Sequence, residues 1–546
     1  MDNKIIKKGN ASQEDIIIGA KKAIDAIKTT IGPAGKSVAL ETSMGGYPDI
    51  TRDGATVAKS INFSNPGYNM GAQLVKKAAS LTEEMVGDAT SSCSLLIGEF
   101  CTKGQKAIKT GSNVNEIKSG MLKAGKWINS YIKEKSTPIN GDFELIKKVA
   151  TISANNDPEV GGLVVEGMKK VGVDGLLVAD VAAGLDTVID ITSGLKVNRG
   201  WSSPQYVTDG ATGDCVMENP FIAVIGEKLS SVNQIAPIMQ DLVNEGQGRP
   251  LLIICDSIDE VVNSVLVLNT LRGVIRCCVV QGIDFGDNRK NVMNDIAVAT
   301  GGLYICKETG LSISEAKLDQ FGSAAKVVIS KDSCVIYNGG GNPAEIKKLA
   351  DLIKARLSSP DISDYDKTKY SNRLAGLTGG IAIIKAGGAT EAEKSNRKAT
   401  IEDSILAAKS AIEEGFVPGG GYVYFRASID YLKDKAFLKS LVGDELEGAS
   451  IIFSSLPIVM KTIAENCGAS GDVILETTKR KTTANVGFNA KTKKFGNLVD
   501  EGILDSTKAV RVALENSIST AAMILLIDCT IIDDPEEDNN KENKTF

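Results

Sequence analysis

Val86–Gly87–Asp88–Ala89–Thr90–Ser91–Ser92 is one acid set among small residues and followed by three consecutive hydroxyls. A segment of this kind can turn one carboxylate toward Mg²⁺ while its hydroxyls and backbone N–H groups face phosphate oxygens. Read alone, it is equally an Asx turn with a Thr/Ser cap before the apolar run Leu95–Leu96–Ile97. The choice depends on what else the chain carries.

At 546 residues the chain exceeds a single hydrophobic core, and two to four domains are expected. Hydrophobic content of 42% and charged content of 24% are those of an ordinary globular protein. A net charge of −6 gives no basic surplus for nucleic acid or anionic lipid. No apolar run reads as a membrane span, and no hydrophobic signal core follows Met1–Asp2–Asn3–Lys4, so a cytoplasmic protein is expected. Ten cysteines are scattered without a CxxC pair, and histidine is absent. Cys/His zinc sites, Ser–His and Cys–His nucleophile pairs and histidine bases are thereby excluded. Catalysis here must use carboxylates, hydroxyls, lysines or an oxygen-held metal.

Apolar positions Ile16, Ile17, Ala20, Ala23, Ile24 and Ile27 have helical spacing that stops at Gly32–Pro33. Helical patterns continue from 69 to 135. The middle of the chain alternates short β-rich runs (176–178, 221–225, 251–254, 278–280, 327–329) with helical stretches such as Val261–Leu271, which predicts an α/β domain near 194–379. Helix returns at Asp403–Glu414, Ala449–Asn466 and Thr507–Ile527. Gly379–Gly380, Gly387–Gly388 and Gly419–Gly420–Gly421 are candidate turns or hinges. The last residues are charged and lack apolar periodicity, the pattern of a disordered tail.

Three segments share the character of the opening stretch. Thr29–Ser37 is a small-residue loop after a helix, suited to close approach by a phosphate. It is not a P-loop, because only two residues separate Gly32 from Gly35–Lys36–Ser37. Thr51–Arg52–Asp53–Gly54–Ala55–Thr56 is an Asp-Gly turn before a helix. Gly419–Gly421 follows Glu402–Asp403. Brought together, Asp53 and Asp403 could orient and polarise a water attacking a γ-phosphate; singly, each reads as a cap or turn residue.

The segments TTIGPAGKSV (29–38), ITRDGATVA (50–58), NMGAQLV (69–75), GDATSS (87–92), TISANNDPEVG (151–161), LLII (251–254), FGDNRK (285–290), SDYDKTK (363–369), GGIAIIKAGGATE (379–391), EDSILAAKSAIEEG (402–415), PGGG (418–421) and VDEGILDSTKAVRVAL (499–514) occur in one order over nearly the whole chain. In that order they resemble the group I chaperonins, the GroEL type, in a divergent form. The resemblance implies an α/β multidomain protein. An all-helical equatorial domain (1–137 and 415–532) would be joined by a small α+β intermediate domain (138–193 and 380–414) to an inserted α/β apical domain (194–379). A disordered acidic tail would follow at 533–546.

It further implies ATP, Mg²⁺ and K⁺ as ligands. Asp88 corresponds to the Mg²⁺ ligand, and the Thr30 backbone lies near the K⁺ site. Thr30, Ile31, Gly32, Pro33, Asp88, Ala89, Thr90, Ser91, Ser92, Gly420, Asn489, Ala490, Ile503 and Asp505 correspond to the nucleotide site. Asp53 and Asp403 correspond to the catalytic pair. Clients would meet Trp201, Tyr206, Ile235, Ile238, Met239, Val261, Val267 and Leu268. Hinges would lie at Pro138 with Gly415 and at Gly194 with Gly380. Arg199–Glu391 and Glu84–Lys331 would pair between subunits.

The chain departs from the family's pattern in places. Ala89 stands where glycine is usual and is expected to fit only with negative φ. Lys491 stands where alanine is usual, and Ala236, Gln205 and Asn263 thin the apolar client rim. The implied protein is an ATP-driven folding machine in one or two seven-membered rings, acting on unfolded clients without nucleic acid or membrane, the need for a co-chaperonin lid being left open. The alternatives are a nucleotide-binding ring scaffold or holdase with little turnover, and a metal-dependent phosphatase active as a monomer.

Overall fold

A computed structural model describes residues 4–41, 48–172, 175–210, 212–283, 286–357 and 380–533, with scattered positions between 366 and 377. Most of the SDYDKTK segment, the boundary at 379 and the tail 534–546 lie outside the described residues. The chain divides into two compact units: residues 1–165, 179–188 and 385–546 form one, and 166–178 with 189–384 form the other.

The first unit is built on long amphipathic helices, among them Asn10–Ile27, Pro66–Val86, Thr90–Lys109, Val114–Lys135 and Thr507–Leu526. Their apolar stripes meet in one core containing Ile16, Leu96, Phe100, Ile117, Ile128, Phe453 and Leu514. Glycine lets the backbones touch where helices cross. A Cβ on Gly71 would fall 1.9 Å from the Ile16 carbonyl oxygen, and one on Gly120 would fall 2.0 Å from that of Glu445. Fold expectations are corrected here in four ways. The part expected to be an all-helical equatorial domain also holds strands: four two-stranded antiparallel ladders join Lys4–Lys8 to Cys529–Asp533, Val38–Leu40 to Asp49–Thr51, Phe416–Pro418 to Leu504–Ser506, and Val486–Asn489 to Lys494–Asn497. Their strands are only three to five residues long, too short for a pattern to register. Asp533 pairs with Lys4 and so belongs to a strand. The expected helix Ala449–Asn466 is two helices, Glu445–Ser455 and Ile458–Asn466, with Pro457 at the N-cap of the second. Finally, Glu445–Asn466 and Thr507–Leu526 do reach a mean hydropathy of 1.3 over a membrane-spanning length. Both segments pack into the core, with 56% and 67% of the window buried.

The second unit is a mixed sheet. Val188–Val197, Cys334–Gly339 and Gly322–Ile329 run antiparallel in that order, followed by the parallel trio Phe221–Leu229, Leu251–Ile258 and Cys277–Gln281. The parallel strands are near-continuous buried apolar runs, as a sheet covered on both faces requires. Helices Val232–Glu245, Glu260–Leu271 and Gly286–Thr300 accompany them.

Candidate functional site

A cleft of about 550 Å³ lies wholly within the first unit, a size usual for small-molecule sites. Each of its walls follows from local sequence. Helix Asn10–Ile27 tightens into the turn Lys28–Thr30, and Gly32 (φ 85°) then swings the chain toward Pro33. The Asn466 side chain clamps this loop by donating to the carbonyls of Lys28 and Ile31, both at 2.9 Å. Asp53 caps helix Gly54–Ser60, accepting from the Ala55 N–H at 3.1 Å and the Thr56 N–H at 2.6 Å. The cap reading and the site reading therefore hold together, since the same carboxylate lines the cleft.

Gly87 ends helix Pro66–Val86 in the left-handed region at φ 65°, and Ala89 repeats that conformation at φ 62°. The expectation that Ala89 requires negative φ is corrected. Its methyl packs beside Val86, Ala509 and Val512, and that apolar contact offsets a left-handed penalty of roughly 1–2 kcal/mol. Two positive-φ residues in the three-residue link Gly87–Asp88–Ala89 make the tight turn that aims helix Thr90–Lys109 at the cleft. The helix starts without a side-chain cap, so its first N–H groups and positive dipole end are available to an anion. Thr90, Ser91 and Ser92 occupy its first turn, and Ser91 Oγ lies 3.3 Å from Thr30 Oγ1. Gly54 makes room for that meeting, because a Cβ there would sit 2.2 Å from Ser91 Oγ.

Helix Glu391–Glu414 brings in Asp403; a Cβ on Gly87 would collide with the Asp403 carbonyl oxygen at 2.6 Å. At the other end, Val417 pairs with Asp505 across the short ladder, and Gly419, Gly420 and Gly421 turn beneath it. The Asp505 Oδ1 would lie 2.6 Å from a Gly419 Cβ. Asn489 closes a hairpin: its amide oxygen accepts from the N–H groups of Lys491 (2.9 Å) and Thr492 (3.2 Å), and its Nδ2 donates to Glu501 Oε2 at 2.5 Å. Its side chain is thus spent on the turn, which presents Ala490 to the cleft, and Ile503 lines it from just before the strand Leu504–Ser506.

The electrostatics call for a cation. Burial raises the Asp88 carboxyl above its ordinary range, and an N–H from Ala89 at 2.5 Å opposes this only in part. Asp403 is pushed well up by burial, then by Asp53, Glu83, Asp88 and Glu402. Asp505 is pushed up to about 7 by burial and by Asp88, against a backbone N–H from Gly420. Glu83 is also raised by burial, against its pairing with Lys59 at 2.6 Å. Among the described residues no three acids or thiols are grouped to hold a metal by themselves. A single half-buried carboxylate such as Asp88 beside bound phosphates is a donor set with which Mg²⁺ is commonly held, the phosphates completing its shell.

The structure therefore brings Thr30, Ile31, Gly32, Pro33, Asp53, Asp88, Ala89, Thr90, Ser91, Ser92, Asp403, Gly420, Asn489, Ala490, Ile503 and Asp505 to one cleft. Sequence reasoning gave no role to Glu83, Lys147, Lys148, Thr151, Asn155, Asn156 or Glu501, which also line it. The segment 151–157 carried the available signal: Asn155 and Asn156 are left-handed (φ 54° and 66°), and Ser153 Oγ donates to the Gly87 carbonyl at 3.3 Å.

The expected client residues divide. Tyr206, Ile235 and Ile238 are core residues, 1–3% exposed, and the expectation that they offer surface is corrected for this conformation. Ile235, Ile238 and Leu242 are the inward stripe of their helix, and the Tyr206 hydroxyl is satisfied by Asn263 Oδ1 at 2.9 Å. Trp201, Met239 and Val267 are half-buried against the same core. Val261 and Leu268 are exposed, joined by Leu271. Of the expected hinges, Thr137 beside Pro138 bridges Phe416 beside Gly415 through two 2.9 Å hydrogen bonds. A Cβ on Gly194 would strike the Ile381 side chain next to Gly380. Within one chain Arg199 donates to the Gly282 carbonyl and Glu391 pairs with Lys394 at 3.0 Å, while Glu84 and Lys331 are exposed.

Residues 24–535 match the model of the TCP-1/cpn60 chaperonin family. Two crystal forms of the chaperonin gp146 from bacteriophage EL 2 (Pseudomonas aeruginosa), both in the presence of ATP-BeFx, share the fold. Form II has a TM-score of 0.73 at 19% identity and form I 0.65 at 20%, each covering 97% of this chain and 99% of the other. With one family's pattern running through almost all of its length and that fold shared end to end, the chain belongs to the TCP-1/cpn60 chaperonin family as a divergent member.

Proposed function

We propose that this chain is a group I-type chaperonin subunit that hydrolyses ATP to drive the folding of non-native proteins inside a seven-membered ring. The carrying observation is the convergence of Asp53, Asp88, Asp403 and Asp505 on one cleft with the uncapped start of helix Thr90–Lys109. Helix N–H groups and the Thr90, Ser91 and Ser92 hydroxyls bind the phosphates. Asp505 accepts from the ribose hydroxyls, and Ala490 and Ile503 wall the base. Asp88 would hold Mg²⁺, and the Thr30 backbone would hold K⁺; these ions would neutralise phosphate charge. Asp403, whose raised proton affinity suits a base, and Asp53 orient the attacking water and accept its proton. The hinge pairs let domains rotate on turnover, and exposed Val261 and Leu268 are the apolar contacts offered to clients. The equatorial, intermediate and apical division, and the Arg199–Glu391 and Glu84–Lys331 pairs between subunits, belong to the same reading.

The test is refolding of a denatured reporter enzyme by the purified assembly. The proposal expects recovery with ATP and little with a non-hydrolysable analogue. Suppressed aggregation with no ATP-dependent recovery would favour a nucleotide-binding scaffold or holdase.

A further inference from the structure

Helix Phe143–Ser153 carries Lys147 and Lys148, and both line the cleft. Lys147 runs toward Gly162, its Cε 3.9 Å from where a Cβ there would lie. Lys148 is held differently. Gly502 is left-handed (φ 76°), and a Cβ on it would fall 3.3 Å from both Cγ and Cδ of Lys148 and 3.5 Å from its Cε. The aliphatic stem of Lys148 therefore lies across Gly502, the residue before Ile503, in the cleft that Asp505 also lines. Among the described residues the half-buried Lys148 makes no side-chain hydrogen bond or ion pair, although Glu501 and Asp505 line the same cleft. An ammonium positioned by its stem yet left unpaired is poised for an anion that the chain itself does not supply.

We propose that Lys148 is a nucleotide-contacting residue. Its stem covers the nucleoside, and its ammonium donates to an anionic oxygen of the phosphate nearest the ribose. The polarity is complementary: Asp505 accepts from the ribose hydroxyls, and Lys148 donates to the oxygen that carries charge. This assignment rests on the ATP reading of the cleft.

Titration calorimetry of the assembled protein with ATP and with adenosine tests it, using wild type, Lys148→Met and Lys148→Arg. Methionine keeps most of the stem and removes the charge. Lys148→Met is expected to weaken ATP about tenfold and adenosine by less than about twofold, the signature of one charge-assisted hydrogen bond to phosphate. Lys148→Arg is expected to restore most of the loss. ATP affinity unchanged in Lys148→Met, or ATP and adenosine weakened alike, would overturn the assignment while the ATP reading stands. A wild type that binds no ATP would overturn both.

Discussion

Ala89 shows how one residue can depart from a pattern without breaking the geometry. The left-handed turn before helix Thr90–Lys109 is the place for glycine, yet the alanine methyl finds an apolar pocket beside Ala509 and Val512. A β-branched side chain has no such escape at φ 62°. Ala89→Val is therefore expected to cost about 2 kcal/mol, seen as a lowered denaturation midpoint, and Ala89→Gly about zero. Equal midpoints for all three would contradict the turn. Asp505 makes a pH-dependent prediction. Its carboxyl titrates near 7 in the folded chain against an ordinary 3.8. The unfolded chain thus releases a proton that the folded chain keeps, and stability falls as pH rises between those values, then levels. Asp505→Asn removes that loss: its melting midpoint without nucleotide should exceed that of wild type at pH 8, and the gap should shrink toward pH 5. A gap of the same size at both would show that burial of the charge is not the cause. On the proposed assignment the same variant should bind ATP more weakly, because the charged carboxylate that accepts from the ribose hydroxyls becomes a neutral amide with one acceptor oxygen.

At the scale of elements, the short connections do most to build the site. Asp53 serves as both cap and cleft carboxylate, and Asp53→Asn separates the two roles. Asp53 meets the Ala55 and Thr56 N–H groups with separate oxygens, and the amide oxygen can keep one of them, so the melting midpoint should fall less than in Asp53→Ala, which should cost about 1 kcal/mol. ATP hydrolysis should fall at least about tenfold in both if the carboxylate positions water. The proposed hinge beside Pro138 is equally specific. Gly415 has φ 81°, and a Cβ would lie 2.5 Å from the Thr137 carbonyl oxygen and 2.6 Å from Ser136 Oγ. Gly415→Ala is expected to destabilise by more than about 2 kcal/mol, read by chemical denaturation; a neutral result would contradict this close approach. Long elements were readable from the sequence because periodicity accumulates over many residues: Asn10–Ile27, Glu260–Leu271, Thr507–Leu526 and the parallel strands all lie where pattern puts them. The short ladders and the break at Pro457 were not, since three to five residues are too few for a pattern to register and the break depends on a single position.

At the scale of the molecule, the residues expected at the nucleotide site line one cleft, whereas those expected to meet clients divide between core and surface. Apart from Asp403 within helix Glu391–Glu414 and Asp505 in the strand Leu504–Ser506, the cleft residues sit mostly at turns and element ends where glycine, aspartate and hydroxyls are demanded locally, so those segments carried their own signal. Apolar helix residues carry no sign of which way they face: Ile235 and Ile238 satisfy the same spacing whether they meet a core or a client, and packing turned them inward. Lys148 escaped notice because a lysine on an amphipathic helix is unremarkable until Gly502 is seen beneath its stem. The central claim is that carboxylates drawn from distant parts of the chain form an ATP-hydrolysing centre. It is tested most directly by steady-state ATPase of the purified assembly with Mg²⁺, with and without K⁺, beside Asp403→Ala, with sedimentation reporting assembly. The account predicts slow, K⁺-stimulated turnover that falls by at least about a hundredfold in Asp403→Ala while the assembly stays intact. An intact wild-type assembly without turnover, or an Asp403→Ala assembly as active as wild type, would contradict it.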